Sequence, residues 1–429
     1  MKVFQERDSR YRTSMQTRVP TFAAPVSFPR TEFLTNAFPL RSSKCIRRPK
    51  SRRQFYQLSP SCILLPPRDT PAVASPPERK QVEILEDGRS VLGSSGVIVP
   101  PMWFGAWKAG LREWGTAPET FQVLSAIRAA MMCGMNAFDT SERYGNGKSE
   151  ELIAEALKGV YREKYVVSTG IDCTHLGYNE VRKSCEDSLR RLNTEYIDLL
   201  YVHWPSQSFG SPDVPWQYTM EAMYDLVQEG YVRAVGVSNY DFNTLNGIGE
   251  YVKLDAIQAP HNLFWRSAET YLIPYCVEQD IPLLDYSPLA QGLLAVAFSP
   301  SHEFKPWDND IRKRNKLFYR RTNWANAQRA LKELDEFRMD FKCTTAQMAL
   351  AWCLNRRVPL GAQPPRVIVG STNDAHIREN WAALDIRFSD TDLAELNKIG
   401  QRVTRYLDPE DELMWYFGGN KARGLKIRT

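Results

Sequence analysis

The chain has 429 residues, 43% hydrophobic and 24% charged, fractions of an ordinary globular protein that exclude a wholly disordered or collagen-like chain. No stretch approaches the roughly 18–20 continuous apolar residues of a membrane-spanning helix. Charge is uneven: residues 1–75 hold 14 basic and 4 acidic side chains, leaving 41 basic and 46 acidic in the remainder, so the bulk of the chain gives no electrostatic reason to bind nucleic acid.

Residues 1–80 read as an address rather than a fold. They are rich in Arg, Ser, Thr and Pro, and Phe22, Phe28, Phe33 and Phe38 follow no helical or strand period. Prolines from Pro20 to Pro77 interrupt any long helix. The run Lys44–Arg53 holds six basic residues, and the leader lacks the apolar core of a secretory signal. An Arg- and Ser-rich, acid-poor leader resembles an organelle transit peptide, plastid ahead of mitochondrion. A disordered tail without an address and a basic nucleic-acid patch are the other readings. Such a segment cannot bury enough apolar surface to offset its ordering entropy. A chain beginning at Glu78 is therefore expected to melt at the same temperature as the full chain; a clear drop on truncation would show that the leader packs on the folded part.

The pattern changes near residue 82. Val82–Leu92, with Asp87-Gly88 at its centre, predicts a hairpin with a type I′ turn. Short, nearly continuous apolar runs follow at Met102–Trp107, Asn136–Asp139, Tyr165–Thr169, Ile197–His203, Ala234–Ser238, Ala256–Gln258, Ile281–Ser287 and Val367–Gly370. They read as parallel strands buried on both faces. Between them Ser149–Val160, Asn179–Leu192, Trp216–Glu229 and Thr344–Asn355 carry one apolar face each at helical spacing. Eight strand–helix units predict a (β/α)8 TIM barrel over about 81–405, after the leader and before a tail, 406–429. An open doubly wound sheet would want a glycine fingerprint after its first strand; only Gly145-x-Gly147 comes close, after the second.

In such barrels chemistry sits at the C-terminal ends of the strands. Asp139 ends the second predicted strand, His203 the fourth, Ser238-Asn239 the fifth, Gln258 the sixth, Tyr286-Ser287 the seventh and Gly370-Ser371 the eighth. Polar groups gathered at one rim need partners, and a ligand would supply them.

The run Asn136-Ala-Phe-Asp139-Thr-Ser-Glu-Arg-Tyr144-Gly-Asn-Gly147-Lys-Ser-Glu150 resembles a signature of the aldo-keto reductases. Tyr196-Ile-Asp-Leu-Leu-Tyr-Val-His203-Trp-Pro205 is similar to that family's fourth strand. Gly236-Val-Ser238-Asn239, Gln258, Tyr286-Ser287-Pro288-Leu289-Ala-Gln291-Gly292 and Val369-Gly370-Ser371 through Glu379-Asn380 resemble its cofactor-contacting segments. The resemblance spans about 90–402. It implies a barrel that binds NADP(H) and passes hydride to the carbonyl carbon of a small molecule, while a tyrosine protonates the oxygen. Tyr144 would be that donor, as tyrosine is protonated at neutral pH. Asp139 would support it and His203 would orient the carbonyl as a donor. Ser238, Asn239 and Gln258 would hold the carboxamide and Tyr286 would stack on the nicotinamide. Ser287, Pro288, Leu289 and Gln291 would follow the cofactor, with Gly370, Ser371, Thr372, His376, Glu379 and Asn380 at its adenosine end. Gly105, Ala106 and Trp107 would line the mouth. The substrate pocket would fall in 205–215, 295–323 and the tail, with Trp103, Trp107, Trp204 and Trp265 as aromatic walls.

Three positions depart from the family pattern. Gly170 stands where a lysine ends the third strand, Leu293–Phe298 lacks a lysine, and His376 stands where an arginine often meets the 2′-phosphate; Arg378 and the basic loop Arg312-Lys313-Arg314 are candidate substitutes. These departures also suit a nucleotide-binding barrel of low turnover that serves as a redox sensor or partner-binding module. The cysteines, at 45, 62, 133, 173, 185, 276, 343 and 353, form no C-x-x-C pair and no zinc spacing, so no metal site is expected.

Overall fold

The computed structural model describes residues 82–110, 118–295 and 321–405; the leader, the tail 406–429 and the loop Arg312-Lys313-Arg314 lie outside the described residues. Two short strands, β1 (Ser90–Val91) and β2 (Ile98–Val99), pair antiparallel. Eight more follow: β3 (Met102–Gly105), β4 (Ala137–Ser141), β5 (Val166–Ile171), β6 (Leu199–Val202), β7 (Val235–Ser238), β8 (Ala256–Pro260), β9 (Leu283–Tyr286) and β10 (Arg366–Val369). They close in the order β10-β3-β4-β5-β6-β7-β8-β9, every neighbouring pair parallel, which is the (β/α)8 barrel expected.

The strands are buried throughout, because both their faces are covered, by helices outside and side chains within. Helix ends are set locally. Thr344 and Gln347 form a reciprocal capping box before the helix Thr345–Leu354, and Ser389 and Asp392 form another before Asp390–Thr404. Among the described residues no helix is long and apolar enough to cross a membrane.

The β1–β2 hairpin closes the N-terminal end of the barrel. Leu92, Val97 and Val99 join one core with Trp103, Ala137, Val166, Leu199, Ala234, Ala256, Leu284 and Ile368, residues at the starts of the strands. Gly93, at φ +54°, brings the turn so close that a Cβ would lie 2.7 Å from the Asp255 carbonyl oxygen. Ser94 then donates through its N–H and Oγ to Asp255 Oδ1. Arg366 is buried beneath the hairpin and donates to Ser90 Oγ and the Val91 carbonyl. One end of the barrel is thus sealed by apolar packing, which leaves the polar strand ends at the other.

Three sequence expectations need correction. The hairpin is paired through 90–91 and 98–99, and Ile84 makes only a bridge to Ser90. Its Asp87-Gly88 turn is not type I′, because Gly88 has positive φ and Asp87 does not; Asp87 instead accepts from the Arg89 N–H and Nε. The third barrel strand also runs past Thr169 to Ile171, so Gly170 is inside β5 rather than after it. The segment read as a loop to residue 323 contains the start of a helix, Arg321–Phe337.

Candidate active site

Asp139 is buried in β4, where Ser168 Oγ on β5 donates to its Oδ1 at 2.7 Å and Gln258 Nε2 on β8 donates to the same oxygen at 2.8 Å. Among the described residues no lysine or arginine forms an ion pair with it. Burial pushes its carboxyl up to about 6, against the pull of hydrogen bonds from Ser168, Gln258 and Tyr201. The Gln258 amide thus gives one of its two N–H groups to Asp139.

Tyr144 sits on the turn that leaves β4, made by the left-handed residues Gly145, Asn146 and Gly147. Its Oη is 3.3 Å from His203 Nε2, and the two rings meet edge to face with centroids 5.2 Å apart. Trp107, just past β3, lies beside Tyr144 at 6.5 Å between centroids, and the Ala106 N–H donates to the Asp139 carbonyl. Gly105 ends β3 against Ile368 of β10.

His203 follows β6. Its Nδ1 is 2.9 Å from Ser141 Oγ, which donates at 2.8 Å to the Gly170 carbonyl and accepts from the Arg143 N–H. A hydroxyl has one proton; when the Gly170 carbonyl receives it, Ser141 Oγ can only accept from the ring. Nδ1 then keeps its own proton and Nε2 faces Tyr144 as an acceptor. Burial first, and then the nearby Arg143 guanidinium, lower His203 to about 3, so the ring is neutral. The expected donor role of His203 needs the other tautomer, reached when the Ser141 hydroxyl turns from Gly170 to Nδ1. Arg143 is held at the rim by Asp172 and lies over the Phe209 ring.

At the end of the neighbouring strand β7, Asn239 Nδ2 donates to the His203 carbonyl and to Ser238 Oγ, and Asn239 Oδ1 accepts from Tyr286 Oη at 2.6 Å. Ser238, Asn239 and Tyr286 form one connected set touching His203. Asn239, Ser287, Ala290 and Gln291 all have positive φ without being glycine. Such backbone cost persists where the surroundings impose it, often at binding sites. The loop that carries Ser287, Pro288, Leu289 and Gln291 is tied down by Asn262 Nδ2, which donates to the Ser287 carbonyl.

Ser371, Thr372 and His376 lie at the start of the helix Asp374–Trp381, next to Gly370, with His376 exposed on the first turn. Asn373 caps that helix by accepting from Ala375 N and His376 N. Glu379 faces the preceding helix, accepting from Thr344 Oγ, while Asn380 is buried. Of the four expected wall tryptophans, Trp103 and Trp265 are buried core residues, and Trp103 packs at the sealed end; an aromatic residue in a strand pattern does not reveal which end it serves. Trp204 is also buried, edge-on to Phe209 near the rim.

Residues the sequence reading missed include Ser141, Ser168 and Tyr201. Ser168 has the same parity as Gly170 on β5, and Tyr201 the same as His203 on β6, so alternation alone puts them on one face. A second buried cluster, His261, Asp285 and Cys353, comes from distant segments. Burial opposes a charge on His261, but the Asp285 carboxylate and Glu269 outweigh it and hold the ring well above its ordinary value. Arg356 also pairs with Asp285. These ion pairs engage Asp285 Oδ2 and both ring nitrogens of His261, tying the residue after β8 to β9.

The closed parallel barrel thus gathers Asp139, Tyr144 and His203 at the C-terminal ends of its strands. The profile of the Aldo/keto reductase family matches residues 101–401. The NADH-specific methylglyoxal reductase of Escherichia coli (strain K12) is 30% identical over 333 residues, 73% of this chain and 98% of that protein. Probable aldo-keto reductase 1 of Glycine max is 28% identical over 352 residues, 79% of this chain and 97% of that one. Among solved structures, an aldo-keto reductase from Klebsiella pneumoniae in complex with NADPH superposes with a TM-score of 0.57 at 29% identity, covering 73% of this chain and 97% of that one. The chain belongs to the aldo/keto reductase family.

Proposed function

We propose that this chain reduces the carbonyl of a small aldehyde or ketone to an alcohol, using NADP(H). The observation that carries it is the Tyr144 hydroxyl, 3.3 Å from a neutral His203 at the open end of the barrel with Asp139 buried beneath. The donor set suits a dinucleotide: the Ser238 hydroxyl, which accepts from Asn239 and keeps its own proton to donate, the Tyr286 ring fixed by Asn239, and the helix start at Asp374. A bound dinucleotide supplies the hydride. Tyr144 supplies the proton: its O–H bond breaks as the substrate O–H bond forms, and water restores the phenol afterwards. His203 and Trp107 position the carbonyl beside it. Steady-state oxidation of NADPH with a panel of carbonyl compounds, methylglyoxal included, tests this; NADPH binding with no turnover on any of them would favour the sensor or partner-binding reading.

His376, exposed where the adenosine end is expected, is proposed to weaken selection for the 2′-phosphate. Exchanging it for arginine, a bidentate phosphate partner, is expected to raise the NADPH-over-NADH preference by roughly tenfold in Kd ratio. An unchanged ratio would remove the position from coenzyme choice. The leader is proposed as an organelle address, plastid first. Residues 1–80 fused to a fluorescent reporter are expected to enter an organelle, and a diffuse cytosolic signal would sink that idea.

A further inference from the structure

Gly170 pairs in register with Tyr201 across β5 and β6. Its backbone is an ordinary strand conformation, so glycine is not needed there for a left-handed φ. Space is the reason. A Cβ at this position would lie 2.7 Å from Tyr201 Cε2, 2.8 Å from Cζ and 3.0 Å from Oη. The Tyr201 ring therefore lies over the α-carbon of Gly170 and runs on to β4, where its Oη donates to the Thr140 carbonyl at 2.8 Å. It is 1% exposed, and its ring meets that of His203 edge-on at 5.7 Å. Thr140 follows Asp139 directly, and Ser141 after it holds His203. Tyr201 thus touches β4 and β5 and the ring of His203.

A side chain at 170 and a ring at 201 compete for one volume. We infer that Tyr201 stands in for the lysine expected at the end of β5, as an uncharged positioning residue that clamps β4 to β6 beneath Tyr144 and biases the site toward carbonyl reduction. The inference rests on the reductase reading above. A lysine there would place a cation near Tyr144 and favour its phenolate. Reduction uses the protonated phenol; alcohol oxidation uses the phenolate as base to take the alcohol proton while hydride passes from the carbon to NADP+. A phenol at Tyr201 keeps the geometry and withholds the cation, so reduction proceeds and oxidation near neutral pH is poor.

The test is a two-residue exchange in the full chain, read by melting temperature and by rates in both directions from pH 6 to 10. Methylglyoxal with NADPH and hydroxyacetone with NADP+ serve as the probes. Gly170→Lys alone is expected to melt lower, since the ring blocks the new side chain. Tyr201→Ala alone is expected to melt lower by leaving a cavity. The double variant Gly170→Lys/Tyr201→Ala is expected to melt above both, because the lysine occupies the vacated space. Its oxidation profile should move to lower pH by about one unit or more, raising oxidation at pH 7 by roughly tenfold per unit, with reduction changed far less. Tyr201→Phe keeps the ring but loses the bond to Thr140; its kcat for reduction should fall with KM unchanged. A double variant that melts no higher than Gly170→Lys, or recovers its melting temperature with an unmoved oxidation profile, would overturn the inference. A wild type that binds NADPH but reduces nothing would overturn the reductase reading and the role of Tyr201 within it, while the melting comparison would still report whether the two side chains exclude one another.

Discussion

Tyr144→Phe is expected to lower kcat for carbonyl reduction by about 10²–10⁴-fold, the usual range for removing a positioned proton donor. The ring remains, so its contacts with Trp107 and the edge-on packing against His203 persist, and KM and melting temperature should change little. The variant gives up the hydrogen bond from Oη to His203 Nε2, which is of modest net value. The neutral state of His203 sharpens this expectation. Held near pKa 3 by burial and then by Arg143, it carries no exchangeable positive charge at pH 7 and cannot replace Tyr144 as the acid. Steady-state rates with KM and kcat resolved make the check. A Tyr144→Phe protein within threefold of wild type would mean that another group protonates the oxygen.

Asp139→Asn should stabilise the fold at neutral pH, with a pH dependence whose sign is fixed. The Asp139 carboxyl is raised to about 6 from 3.8, so the native state binds more protons than the unfolded chain between those values. Stability from this group is then full below about 4 and is lost as pH rises through about 6. Asparagine keeps an oxygen to accept from Ser168 and Gln258 and has no charge to bury. The variant is therefore expected to match wild type near pH 4 and to exceed it by about 2–3 kcal/mol at pH 8. His203 works oppositely: its depressed pKa contributes stability present above about 6.5 and lost as pH falls toward 3. In wild type the two slopes offset one another between about pH 4 and 6; in the variant the His203 slope stands alone. Denaturant titrations from pH 4 to 8 read the difference directly, and a constant difference across that range would contradict the buried, uncompensated carboxylate.

The barrel strands were legible because burial on both faces makes them short apolar runs, and polar residues at their ends stand out against that background. The order Asp139, Tyr144, His203 was legible from a resemblance, and the structure places Tyr144 beside His203. The role of Gly170 was not legible. A single sequence shows a glycine where a lysine is expected, but the register that sets Tyr201 over it is a contact between strands. The same limit applies to Gln258, whose amide could face a ligand or Asp139 equally well until the barrel closes. Trp103 was misplaced because strand periodicity identifies a face and not an end. Asn239, Ser287, Ala290 and Gln291 take left-handed backbone without being glycine, so their side chains do not announce it.

The central claim is that a hydride acceptor and the Tyr144 proton meet at this rim. Single-turnover oxidation of enzyme-bound NADPH by methylglyoxal, followed at the nicotinamide absorbance, tests it most directly. Wild type should oxidise its bound NADPH in one phase with formation of one equivalent of alcohol, and Tyr144→Phe should bind NADPH equally and oxidise it at least about a hundredfold more slowly. Equal rates in the two proteins, or bound NADPH that survives saturating carbonyl in wild type, would contradict the account.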